Sequence, residues 1–77
     1  MQADKTIKAL LDEEGISASK ASILIGRSRT YIPTYVGKGM VPSIGLMAEL
    51  GDSVGYDLLL RRRTDGHEIV IDPPQRE

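Results

Sequence analysis

The chain has 77 residues, which is room for one small domain and not for two; at this length folding buries only about 60% of the unfolded surface, so stability needs tight packing or a partner. Zero cysteines and a single histidine, His67, exclude disulfides, thiolate metal sites and histidine clusters, and the 40% hydrophobic fraction contains no Trp or Phe, so an aliphatic core is required. The formal net charge of −1 is not that of a uniformly basic polyanion binder.

In Thr6 to Glu14, apolar Ile7, Leu10 and Leu11 recur at helical spacing and Gly15 follows as a terminator, which predicts a first helix over residues 4–14. Ser17 is a good N-cap for a second helix over 18–25, with Ala21 and Ile25 one turn apart and Gly26 supplying a tight turn. A third segment opens near Ser28 or Thr30, carries Ile32, Tyr35 and Val36 on one side, and is broken by Gly37 and Gly39. Pro33 inside it removes a backbone donor, so the regular helix is expected to start near Thr30 or Tyr31, with Pro33 in its first turn. Ser43 caps a fourth helix whose buried stripe is Ile44, Met47, Ala48 and Val54, ended by Gly55. Gly45 and Gly51 inside that helix are expected where a neighbouring helix comes close.

After Gly55 the period changes. Strands are expected over 56–63 and 68–72, flanking Thr64, Asp65, Gly66 and His67, because Asp-Gly between β-prone runs is a strong hairpin signal. Pro73 and Pro74 stop the second strand. The fold class is therefore mainly α with a small β part (α+β): a single domain over 1–77, with a helical core over 4–55, a hairpin over 56–72 and a flexible tail over 73–77.

Charge is unevenly placed. Asp4, Asp12, Glu13 and Glu14 precede residue 15, and Glu49, Asp52 and Asp57 follow residue 48. Between them there is no acidic residue, only Lys20, Arg27, Arg29 and Lys38 among many hydroxyls; such a local field faces a polyanion as readily as it faces water. No apolar run approaches the roughly 20 residues of a membrane span. Asp4, Lys5 and Lys8 interrupt the stretch that a secretory signal would keep apolar, so no membrane partner and a cytoplasmic location are expected.

Residues 17–38 read as two short helices joined at a glycine, the second basic and rich in hydroxyls, which is the layout of a helix-turn-helix. With Ile16-Ser17 opening the second helix, small Ala21 and Ser22 at the crossing, Ile25-Gly26 at the turn, Ser28-Arg29 opening the next segment, Ile32 and Tyr35 on its core side and Pro42-Ser43-Ile44 beginning the fourth helix, the stretch from Ile7 to Val54 resembles the Cro/C1-type (XRE family) regulators of phages and bacteria. Arg27 and Val36 depart from that pattern, the first standing where the family usually buries an aliphatic and the second where many members have a glutamate. The resemblance implies a four-helix core and a sequence-specific regulator of transcription, most simply a repressor, reading double-stranded DNA with residues 28–38. The C-terminal strands are similar to the Cro-like branch, in which a strand or hairpin builds the dimer.

Carried onto this chain, the expected base contacts are Arg29, Thr30, Tyr31 and Thr34, with Arg29 gripping guanine bidentately. Phosphate candidates are Ser17, Ser19, Lys20, Arg27, Ser28 and Lys38. Leu58 and Leu60 point to one face of the hairpin and Leu59 to the other; with Ile69 and Ile71 they are the expected homodimer contacts, matched to an inverted-repeat operator. Arg61, Arg62 and Arg63 read first as a charged edge paired with Glu68 and Asp72, and second as a flanking phosphate contact.

Enzyme chemistry has little support. Gly37-Lys38-Gly39 lacks the glycine spacing and the hydroxyl of a phosphate loop, and His67 sits at a turn. No metal ligand set and no cofactor are expected. The rival reading is an antitoxin or phage accessory protein whose main role is gripping a protein partner.

Overall fold

The computed structural model describes residues 1–74. A 3₁₀ turn, Ala3–Lys5, leads into α1 (Thr6–Glu14), followed by α2 (Ala18–Leu24), α3 (Tyr31–Lys38), α4 (Ile44–Ser53) and a hairpin of β1 (Leu58–Arg61) and β2 (Glu68–Ile71). This is a small α+β domain of four helices and one antiparallel two-stranded sheet. None of the described helices is long and apolar enough to cross a membrane.

One aliphatic cluster joins the helices: Ile7 and Leu11 of α1, Ala21 and Ile25 at α2, Ile32 of α3, and Leu46 and Leu50 of α4. The side-chain oxygens of Ser17 and Ser43 accept the backbone N–H groups of Lys20 and Leu46, each at 3.1 Å, capping α2 and α4 as their positions predict. Helix α2 stops at Leu24, one residue before the predicted end, with Ile25 as its C-cap and Gly26 turning left-handed at φ 74°.

Three expectations about the helices need correction. Gly37 does not break α3, which continues to Lys38 and is ended by Gly39; Gly37 keeps a right-handed backbone, which costs a helix only modestly. The buried residues of α4 are Leu46, Ala48, Leu50 and Gly51, whereas Ile44 is 66% exposed on the first turn, before the part of the helix that the core covers. No helix crowds Gly45 or Gly51: a Cβ on Gly45 would lie 3.5 Å from Cγ of Pro74, and one on Gly51 would lie 3.5 Å from Cβ of Tyr56. The chain leaving β2 therefore runs back along the start of α4; the remainder of the expected tail, 75–77, lies outside the described residues.

The hairpin pairs Leu58 with Ile71, Leu59 with Val70, Leu60 with Ile69 and Arg61 with Glu68. Its strands are shorter than 56–63 and 68–72, and the connection between them is residues 62–67, a closed loop, rather than the four residues 64–67. Arg62 donates its N–H to the His67 carbonyl at 2.7 Å, and Gly66, at φ 78°, donates to the Arg62 carbonyl at 2.9 Å. Asp65 accepts the His67 N–H and the Arg62 guanidinium, both at 3.1 Å. Arg61 pairs with Glu68 at 3.5 Å as expected, while Arg62 takes Asp65 rather than Glu68 or Asp72, since the loop brings that carboxylate back over it.

Candidate nucleic-acid interface

Helices α2 and α3 are tied together by one buried hydroxyl. The first turn of any helix leaves N–H groups with no intrahelical acceptor, and Thr30, at the N-cap of α3, provides no side-chain cap. Tyr31 donates instead to the Ser28 carbonyl at 3.0 Å, Ile32 donates across to Oγ of Ser22 at 2.9 Å, and Pro33 has no donor to satisfy. Ser22 in turn donates to the Ala18 carbonyl at 3.0 Å. The start of α3 near Thr30 or Tyr31, with Pro33 in the first turn, is as its sequence predicts.

Packing on Ile32, with Tyr31, Tyr35 and Val36 half-buried, decides which side of α3 meets solvent. That side carries Thr30, Thr34, Gly37 and Lys38. Thr30, Thr34 and Gly37 are four and three residues apart and so share one stripe. Nothing lies within 4 Å of the place a Cβ on Gly37 would occupy. The Thr34 hydroxyl donates to the Thr30 carbonyl at 2.7 Å, which leaves its methyl group and an acceptor lone pair to face outward. Gly37 as a surface position was missed from sequence; its signal was the small-residue spacing with Thr30 and Thr34, masked by the glycine's reputation as a breaker.

The cations divide into two kinds. Arg29, just ahead of α3, and Lys20 and Lys38 are exposed and form no ion pair among the described residues. Arg27 is also unpaired with any carboxylate there, but its guanidinium sits over the Tyr31 ring, 5.0 Å from the centroid. The Tyr31 and Tyr35 rings are 5.4 Å apart and tilted by 50°. A hydrogen bond with Tyr31, followed by that neighbour's charge, raises the Tyr35 phenol above its ordinary 10.0. At the turn, Arg27 is thus exposed, with its charge held against an aromatic face.

Of the other expected contacts, Ser17 and Ser28 are exposed, Ser19 is half-buried, and Ser28 Oγ lies 3.5 Å from Thr30 Oγ1. The Ser17 oxygen is engaged as a cap acceptor but its proton remains to donate. Tyr31 is half-buried beneath Arg27, so its ring supports a neighbour more than it reaches outward. The expected dimer contacts fall elsewhere: Leu58, Leu59 and Ile71 are half-buried, whereas Leu60 and Ile69 are 63% and 57% exposed.

Among the described residues no cluster of His, Cys, Asp or Glu is placed to hold a metal ion. No protein-family model, curated protein or solved structure matches the chain.

Proposed function

We propose that this chain is a sequence-specific double-stranded DNA-binding regulator, most simply a repressor, of the Cro/C1 helix-turn-helix type, with α3 entering the major groove. The observation that carries this reading is the solvent face of α3: Thr30, Thr34 and Gly37 form a low surface, flanked by Arg29 and Lys38, which form no ion pair among the described residues. A helix about 10–12 Å across with its side chains fits a groove about 12 Å wide, and small residues on its leading face let its backbone come closer to the base edges. Long cationic side chains at its ends then reach base edges and phosphates.

In this reading Arg29 grips guanine bidentately, and the outward methyl of Thr34 suits a thymine C5-methyl. Thr30 supplies a second short polar contact, and Tyr31 acts near the bases chiefly by holding Arg27. Ser17, Ser19, Lys20, Arg27, Ser28 and Lys38 engage phosphates. The α3 segment contains no Asn or Gln, so bidentate amide readout of adenine is absent and a site anchored on G·C pairs is expected.

The test is selection of bound duplexes from a randomised library at two salt concentrations, repeated with Arg29→Ala and Lys38→Ala. The expected outcome is an enriched inverted repeat with half-sites about 10 base pairs apart. Arg29→Ala relaxes one base position at about 1–3 kcal/mol, and Lys38→Ala weakens all sequences alike. No enrichment at either salt overturns the reading. In that case the rival protein-binding reading gains, and its support is the apolar surface after α3, where Met40, Val41 and Ile44 are 41%, 66% and 66% exposed.

A further inference from the structure

An open apolar groove of about 370 Å³ lies between α1, α4 and the start of β1. Ile7 and Leu11 of α1 and Leu46 and Leu50 of α4 are spent in the core, whereas Leu10 and Met47 of the same helices stay half-buried and line this gap. Leu58, the first residue of β1, brings one face of the hairpin to it, and Tyr56 stands against Gly51 at its border.

An apolar lining by itself suits any apolar ligand, and the charges around it select among them. Glu13 and Asp57 are exposed at the groove and form no ion pair among the described residues. None of the ten lining residues is Lys, Arg or His; Lys8 of α1 is engaged with Asp12 at 3.3 Å, and the α-amino group of Met1 pairs with neither carboxylate. Tyr56, held by Glu14 at 3.0 Å, adds an aromatic ring, while Met1 and Met47 add adaptable, polarizable thioethers. An anionic ligand is repelled here and a neutral one leaves both carboxylates unpaired, whereas an ammonium on an apolar body matches the lining and the charge together. Size points the same way. The groove falls in the range of about 300–1,000 Å³ of small-molecule sites, and its ten lining residues are well short of the roughly 20–30 a side that a stable protein interface uses.

We propose that this groove binds a small organic cation with an apolar body, an alkyl- or arylammonium, the body against Leu10, Met47 and Leu58 and the charge at Glu13 and Asp57. No lining residue belongs to α2 or α3, so the site is separate from the face assigned to DNA. The proposal goes beyond the DNA-binding reading and does not depend on it.

The three methionines give a built-in test, since Met1 and Met47 line the groove and Met40, 41% exposed, lies outside it. A chain labelled at the methionine methyls is titrated at low salt, neutral pH and without DNA, using octylammonium, octan-1-ol and octanoate below their micellar concentrations. The same titrations are run on Glu13→Gln/Asp57→Asn, two exposed positions where the amides preserve shape. The expected result is a saturable shift of the Met47 and Met1 methyls by octylammonium with Met40 unmoved. Octylammonium is expected to bind at least about fivefold more tightly than octanoate, through attraction of one and repulsion of the other by partly exposed carboxylates. In the double variant that preference disappears. No saturable shift with octylammonium overturns the proposal, as does a shift shared equally by Met40, the signature of general adsorption. Octanoate binding as tightly as octylammonium, or a preference that survives in the double variant, overturns it too.

Discussion

Ser22 and Ile32, ten residues apart and both fully buried, are joined by a hydrogen bond of 2.9 Å from the Ile32 N–H to the Ser22 hydroxyl oxygen. The bond makes a side chain of α2 the cap of α3, so the position of the second helix is set by the first. Ser22→Ala leaves the Ile32 N–H buried without that acceptor, at a cost of about 1–3 kcal/mol. In a domain of this size that lowers the melting temperature by roughly 4–8 °C per kcal/mol. Thermal and urea unfolding check it; a loss under about 0.5 kcal/mol would mean that the amide finds another acceptor.

Gly37 separates stability from recognition. Its backbone is right-handed and the space beside it is open, so Gly37→Ala is expected to stabilise the chain by about 0.4–1 kcal/mol. Gly37→Leu is expected to fold equally well while losing duplex binding, because the larger side chain stands on the face assigned to the groove. Parallel melting curves and binding titrations distinguish the effects. Undiminished binding by the leucine variant would move the DNA contact off this face of α3.

Arg27 and Tyr31 are expected to couple. Their contact at 5.0 Å is partly exposed, and a double-mutant cycle of Arg27→Ala and Tyr31→Leu on unfolding free energy should show an interaction of about 0.5–1 kcal/mol. On DNA, Tyr31→Leu should weaken binding through Arg27, so that its effect largely disappears in the Arg27→Ala background. Additive losses in both assays would show that the ring and the guanidinium act separately.

The Tyr56 phenol donates to Glu14 at 3.0 Å, and that hydrogen bond, ahead of desolvation, raises its ionisation above the ordinary 10.0. Because the folded value lies above the unfolded one, the stabilising contribution is fully present below pH 10.0 and disappears as pH rises through the raised value. Phenolate absorbance titration is expected to lose a component above pH 10.0 in Tyr56→Phe and to show it shifted down in Glu14→Gln. An identical titration in Glu14→Gln would remove Glu14 as the cause.

What this chain determines by itself is local. Ser17 and Ser43 are caps because the amides they accept lie three residues ahead. Pro33 defines the start of α3 because its missing donor is tolerated only in a first turn, and the change of period after Gly55 separates helices from hairpin. Reading Gly37 as a breaker failed locally, because one right-handed glycine costs a helix only modestly, whereas Ile44 as core and Gly45 as a helix contact failed because each depends on what stands opposite, and the residues opposite are remote in sequence. Packing alone decides that Ser22 caps α3 and that Pro74 lies against Gly45. Packing likewise leaves Thr30, Thr34 and Gly37 outside once Ile32 is buried, and extends the Leu58 face of the hairpin into the groove of α1 and α4. Short-range hydrogen bonds and periodicity are properties of neighbouring residues, whereas the exposure of a face is settled only when the apolar stripes of all the elements have found one another.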